Sequence, residues 1–210
     1  MSRLLYIEAN PNIIQDSFGK KVGEEFLRNY KDNNPNDFIK KLDLYGADKP
    51  PLIDADILEV MKASGRGEEI TSSKGSDGFK KIIGIVDDFL SFSKIVIVSP
   101  MWNFSVPPYL KAYIDSFVIA NKTFRYTENG PIALLKGEGK KFLHIHSSGG
   151  VYSKGPGLKL DHSASYLRDV FNFIGIEDQQ IIRIEATALP EANENFEIAL
   201  EQSRVVSREF

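Results

Sequence analysis

The chain has 210 residues, 42% hydrophobic and 26% charged, which suits one well-packed α/β domain over residues 1–210. A net charge of −3 with no cluster of Lys and Arg speaks against a nucleic-acid partner. The lack of any cysteine excludes disulfides, thiolate nucleophiles, iron–sulfur clusters and Cys-based zinc sites.

Leu4 to Ile7 is a first short strand, followed at once by Glu8, which leaves no room for a signal-peptide core. A helix is expected from about Ser17, with Val22, Phe26, Leu27 and Tyr30 on one face. Phe38 to Leu44 reads as a second strand. Pro50 and Pro51 break the chain, and Ile57, Leu58 and Met61 mark a short helix. Ser64 to Gly78, rich in Gly, Ser and charge, reads as a solvated loop, and Phe79 to Phe92 as a helix. Apolar runs such as Ile82 to Val86 are too short to cross a bilayer, so a cytoplasmic protein with no membrane partner is expected.

Ile95 to Val98 is a strand buried on both faces, and Pro107 to Ala120 a helix with proline in its first turn. Thr123 to Pro131 alternates like a strand and closes on Asn129-Gly130, a turn signal. Phe142 to His146 is a fourth core strand, Tyr166 to Ile174 a helix stopped by Gly175, Gln180 to Ile184 a fifth strand, and Glu191 to Arg208 a closing helix. Five strands alternating with helices predict a doubly wound five-stranded parallel sheet with helices on both faces.

In such a sheet ligands bind beyond the carboxyl ends of the strands, at the switch point. Three turns lie there. The first, Asn10 to Ser17, leads into a helix N-terminus, whose free N–H groups and dipole favour a phosphate. The second, Ser99-Pro100-Met101-Trp102-Asn103-Phe104, offers aromatic surface and amide donors suited to a planar heteroaromatic ligand. In the third, Ser147-Ser148-Gly149-Gly150, two glycines let backbone approach a flat ring. Each alone is also an ordinary turn; the joint occurrence points to a site. Ser147-Ser148 lacks the glycine pattern of a nucleophile elbow. His144 and His146, two apart on a strand, face one side, but no third metal ligand lies nearby and a structural role is the simpler reading.

Pro100-Met101-Trp102-Asn103-Phe104, Leu110-Lys111 and Asp115, Thr123-Phe124-Arg125-Tyr126-Thr127-Glu128-Asn129-Gly130-Pro131, the Ser-Ser-Gly-Gly turn and Phe173-Ile174-Gly175-Ile176 together resemble the FMN-dependent NADH-azoreductases across nearly the whole chain. The resemblance implies a flavodoxin-like fold, a homodimer, and FMN bound non-covalently. Pro100, Met101, Trp102, Asn103 and Phe104 would line one side of the isoalloxazine. Ser147, Ser148, Gly149 and Gly150 would line its pyrimidine side, while Asn10, Gln15, Asp16 and Ser17 fall where the family holds the phosphate and ribityl chain. It further implies NADH as donor and quinones or azo compounds as acceptors, sharing one place in a ping-pong cycle with no side chain acting as acid or base. A backbone N–H near Asn103 is expected at flavin N5, and those of Gly149 and Gly150 at N1 and O2. Aromatic residues of the partner subunit would wall the pocket, with Phe124, Tyr126 and Phe173 as candidates beside a core role for each.

One departure stands out. The family's phosphate loop is rich in serine, whereas here Ala9, Asn10, Gln15 and Asp16 replace much of it and only Ser17 keeps a hydroxyl. Two unit charges about 4 Å apart repel by about 4 kcal/mol at an effective dielectric of about 20. Asp16 is therefore expected to turn outward, as a helix cap or toward Lys20. Two alternatives remain at this level: a flavodoxin-like electron carrier, for which −3 is a mild charge, and a member that has lost FMN.

Overall fold

The computed structural model describes residues 1–66, 68 and 74–210. Five strands form one parallel sheet: β1 (Arg3–Glu8), β2 (Phe38–Asp43), β3 (Lys94–Pro100), β6 (Lys141–Ser147) and β7 (Asp178–Ile184), in the order β2-β1-β3-β6-β7. The helices are α1 (Phe18–Asn33), α2 (Ala55–Gly65), α3 (Ser76–Leu90), α4 (Pro108–Phe117), α5 (His162–Ile174) and α6 (Ala192–Glu209). This is the expected flavodoxin-like arrangement, and its order reverses between β1 and β3.

Alternation along each strand sends neighbouring side chains to opposite faces, and both faces are covered. Leu5, Ile7, Ile95, Ile97 and Phe142 pack with Val86, Phe89, Leu110, Phe117, Leu167 and Phe171 from α3, α4 and α5. Leu4, Tyr6, Val96, Val98, Leu143 and Ile145 pack with Val22, Phe26 and Tyr30 of α1 and Ala199 of α6. That double burial explains why β3 reads as an unbroken apolar run. Face-to-face rings fix one layer: Phe89 on Phe117 at 4.1 Å and Phe142 on Phe171 at 3.7 Å between centroids. On the other, Gly23 lets α1 lie against the sheet, because a Cβ there would come within 2.1 Å of the Tyr6 hydroxyl.

Several boundaries differ from the sequence reading. Thr123 to Pro131 is not one strand: β4 (Phe124–Thr127) folds back on β5 (Gly130–Ala133) as a two-stranded antiparallel hairpin. Gly130 takes φ 102°, which the Asn-Gly signal anticipates. The second arm was illegible because it opens on Gly130-Pro131, two weak strand residues. The loop expected over Ser64 to Gly78 is shorter, since α2 runs through Gly65 and α3 starts at Ser76; residues 67 and 69–73 of it lie outside the described residues. The helix expected to reach Ala120 ends at Phe117, where Thr123 Oγ1 donates to the Phe117 carbonyl. Among the described residues no helix is long and apolar enough to cross a membrane.

Candidate functional site

Each of the three turns is tied to the next strand by one backbone bond. Ala9 N–H donates to Val98 C=O (2.9 Å), Met101 N–H to Ser147 C=O (2.7 Å), and Ser148 N–H to Ile184 C=O (2.9 Å). The turns after β1, β3 and β6 therefore meet at one edge, around a cleft of about 210 Å³. Asn10, Asp16 and Ser17 line it from the first turn, Pro100, Met101 and Trp102 from the second, and Ser147, Ser148 and Gly149 from the third. The structure does not bring every expected residue into it. Gln15 is exposed on a short 3-10 turn (Ile14–Asp16), outside the lining. Asn103 lines an adjoining hollow that shares Trp102. Phe104 is exposed and meets Tyr152 edge-on at 6.0 Å, and Gly150 lies beneath that same tyrosine ring.

The first turn is knit together by its own polar side chains. Asn10 Nδ2 donates to Ser17 Oγ (3.0 Å), while Asn10 Oδ1 accepts from Asn12 N–H (3.0 Å). Ser17 Oγ also accepts from Lys20 N–H (3.2 Å), which makes Ser17 the N-cap of α1. Phe18 and Gly19 N–H have no hydrogen-bond partner among the described residues. Asp16 is exposed, but by neither expected route. The cap is Ser17, and Lys20 pairs instead with Glu8 at 3.2 Å. The reason is geometric: Asp16 is held inside the 3-10 turn by its N–H bond to Ile13 C=O (3.2 Å), one residue short of the cap position.

The second turn is strained. Trp102 and Ser105 exchange two backbone bonds of 2.9 Å, enclosing Asn103 at φ 48° and Phe104 at φ 69°. Positive φ at both central residues is the mark of a type I′ turn, normally filled by Asn-Gly. Asn tolerates this region, whereas a Phe there costs about 1–2 kcal/mol. The N–H groups of Asn103 and Phe104 have no hydrogen-bond partner among the described residues. Tyr45 meets the Trp102 ring edge-on at 5.8 Å and fixes its back.

In the third turn Ser148 Oγ donates to Gly150 C=O (3.0 Å), and the Gly149 and Gly150 carbonyls accept from Ala188 and Ala186 N–H. The N–H groups of Gly149 and Gly150 have no such partner among the described residues. Neither glycine has positive φ. A Cβ at Gly149 would meet only Ala188, at an ordinary 3.5 Å, so the chain's own packing does not require glycine there. What a side chain would fill is the cleft. A bare backbone wall with open amides is what a flat ring needs, so FMN fits the residues present. Its phosphate would meet N–H groups and the Ser17 hydroxyl rather than a cation, since among the described residues no Lys or Arg lines the cleft.

Sequence reasoning missed Asn12, Phe18 and Thr187 in the lining. Thr187 follows β7 and donates from Oγ1 to Ser148 C=O (3.1 Å), so a fourth strand-end turn closes the cleft; its place beyond the last strand was the available signal. Glu185 was also missed: it accepts from Tyr152 and Ser153 N–H (2.8 and 2.7 Å) and pins the chain after Gly150. His144 and His146 do face one side, with ring centroids 4.9 Å apart. Burial holds both imidazoles neutral, His144 well below the ordinary range and His146 at about 4. His144 Nε2 is paired with Ser99 Oγ at 2.9 Å.

Fold and cleft define a flavodoxin-type α/β protein, and a sequence model of the flavodoxin-like fold matches residues 2–206. FMN-dependent NADH:quinone oxidoreductase 2 of Bacillus thuringiensis subsp. konkukian is 41% identical over the full length of both chains. An FMN-dependent NADH:quinone oxidoreductase of Staphylococcus haemolyticus is 42% identical, covering 95% of this chain and 94% of that one. The crystal structure of an FMN-dependent NADH-azoreductase from Bacillus anthracis in complex with FMN superposes with a TM-score of 0.93 at 34% identity, covering 100% of this chain and 99% of that chain. The chain belongs to the flavodoxin-like family, among the FMN-dependent NADH:quinone oxidoreductases and azoreductases.

Proposed function

We propose that this chain, as one domain over residues 1–210, binds FMN non-covalently between the three turns and reduces quinones and azo compounds with NADH. The observation that carries it is the set of backbone amides on the turns around one cleft that have no hydrogen-bond partner among the described residues: Phe18 and Gly19, Asn103, Gly149 and Gly150. FMN, when bound, supplies the chemistry, taking a hydride from NADH and passing two electrons to an acceptor that follows in the same place.

The chain's own residues bind and orient. Phe18 and Gly19 N–H, with the Ser17 hydroxyl, hold the phosphate at the start of α1, where the helix dipole favours an anion. Asn10 orients Ser17. Met101 and Trp102 would supply the surface for the ring, and the Asn103 N–H would serve as the donor to N5. Gly149 and Gly150 N–H would donate to N1 and O2, the atoms at which negative charge would be stabilised. Asp16 stays at the rim in water, where its charge is screened.

A homodimer fits the apolar surface beside the hairpin. Tyr126 is 74% exposed and Phe173 40%, and both pack on Phe124. Phe124 itself is buried within its own chain, so Tyr126 and Phe173 are the residues that reach a partner. A cytoplasmic location accords with the NADH requirement.

The test is direct. The purified chain, given FMN and freed of excess, keeps flavin absorbance and oxidises NADH with menadione as acceptor. Protein that shows no flavin bands after incubation with FMN contradicts the reading. A flavin-loaded chain that transfers electrons only to a protein partner marks a carrier instead.

A further inference from the structure

On the far side of α5 from Tyr166 and Phe173, a groove of about 400 Å³ runs between that helix and the edge strand β7. None of its lining residues belongs to the flavin cleft. We infer that it is a second small-molecule site, which takes a planar apolar monoanion of the aromatic carboxylate class.

Size, shape and charge argue for this together. The volume lies within the range of small-ligand pockets, about 300–1,000 Å³. Its inner wall carries Phe142 and His144, both buried, whose rings stack with centroids 6.3 Å apart and within 16° of parallel, so the wall is aromatic. Leu158, Ala164 and Ile181 give apolar sides, and Leu158 and Ile181 are 57% and 42% exposed without a partner of their own to cover them.

The polar groups are unequally occupied. Asp161, buried, accepts from Ala164 N–H (3.0 Å) and from Arg183 (2.6 Å), and Arg183 also reaches Glu185 at 3.5 Å. That end of the groove is satisfied. Arg168 is different: its ion partner is its sequence neighbour Asp169, with both side chains more than 60% exposed. Such a surface pair is worth little and is readily exchanged for another carboxylate. His144 spends Nε2 on Ser99, while its buried Nδ1 has no partner among the described residues. Asp161 set against Arg168 and Arg183 leaves one net positive charge in the lining, with His144 neutral. One anionic group that takes the place of Asp169 on Arg168, with an aromatic body against the Phe142–His144 wall, meets these demands; a dianion would find no second exchangeable cation, because Arg183 is held by Asp161 and Glu185.

The probe is 2-naphthoate, titrated calorimetrically into the full chain with and without FMN, with neutral 2-naphthamide as control and the ring ¹⁵N resonances of His144 followed by NMR. We expect naphthoate to bind in both flavin states and to move the His144 signals. Arg168→Gln weakens it about tenfold, the scale of one charge-assisted hydrogen bond, and abolishes the preference over the amide. Ala164→Phe fills the groove and abolishes binding; should that variant misfold, the exposed Arg168 variant carries the test. The inference is overturned if naphthoate does not bind, if it binds both variants as the parent does, or if the His144 signals stay still. Binding lost only when FMN is present would place naphthoate in the flavin cleft and also overturn it. Because the flavin-free chain gives its own result, failure here leaves the proposed activity standing, and the reverse holds too.

Discussion

The turns after β1 and β3 open on the same cleft, yet they are built in opposite ways. In the first, Asn10, Asn12, Ser17 and Lys20 bond to one another, and no residue has positive φ. In the second, few side-chain bonds exist and two non-glycine residues sit in the left-handed region with their amides open. The first turn is a self-satisfied cap that leaves only helix-start amides for a ligand. The second holds strain, which persists only where the surrounding structure over-determines it and which keeps donors pre-aimed. The difference teaches that loss of serine hydroxyls in the first turn need not abolish phosphate binding, because the amides are supplied by the helix and not by the side chains.

The largest effect is expected where neither turn is altered. Gly149→Val places a side chain in the cleft where the fold itself has room. FMN affinity, read by quenching of flavin fluorescence, should fall about a hundredfold or more, the scale of two lost hydrogen bonds, with the thermal midpoint nearly unchanged. Equal affinity would mean that the ring does not lie against the third turn.

Next comes the strand beneath that turn. Burial, reinforced by Arg183 and opposed by Asp161 and Glu185, holds His146 at about 4 against an ordinary 6.5. The unfolded chain therefore binds a proton that the folded chain refuses. The stability present above pH 6.5 is lost as pH falls toward 4, by about 2–3 kcal/mol at pH 4.5. Urea denaturation should show this slope, and His146→Gln should reduce it by that amount, leaving the part that buried His144 contributes in the same direction.

Two smaller changes sharpen the contrast between the first two turns. Ser17→Ala removes the cap and the acceptor for Asn10, costing about 1 kcal/mol of stability. It should weaken FMN about tenfold and riboflavin, which lacks the phosphate, hardly at all. Asp16→Asn removes an exposed charge at the rim and should strengthen FMN about two- to threefold at low salt, vanishing at high salt. A large gain from Asp16→Asn would show that the carboxylate faces the phosphate after all.

The sheet was legible because its signal is local: β1, β3 and β6 are short apolar runs ending at turn residues, and their order follows from alternation with helices. The three turns could be placed at one edge for the same reason. What stayed hidden depends on contacts between distant residues. Glu185 and Thr187 reach the cleft only because β7 lies beside β6. The hairpin's second arm was masked by glycine and proline. The positive φ of Phe104 has no sequence signature at all, since a phenylalanine ordinarily avoids that region. Lys20 was misassigned because Glu8, half-buried at the end of β1, competes for it more closely than Asp16.

The most direct test is an ¹H–¹⁵N titration of the flavin-free chain with FMN. The amide signals of Phe18, Gly19, Asn103, Gly149 and Gly150 should move most, in slow exchange and together. Shifts confined to other parts of the molecule, or movement at one turn with the other two unchanged, would contradict the account.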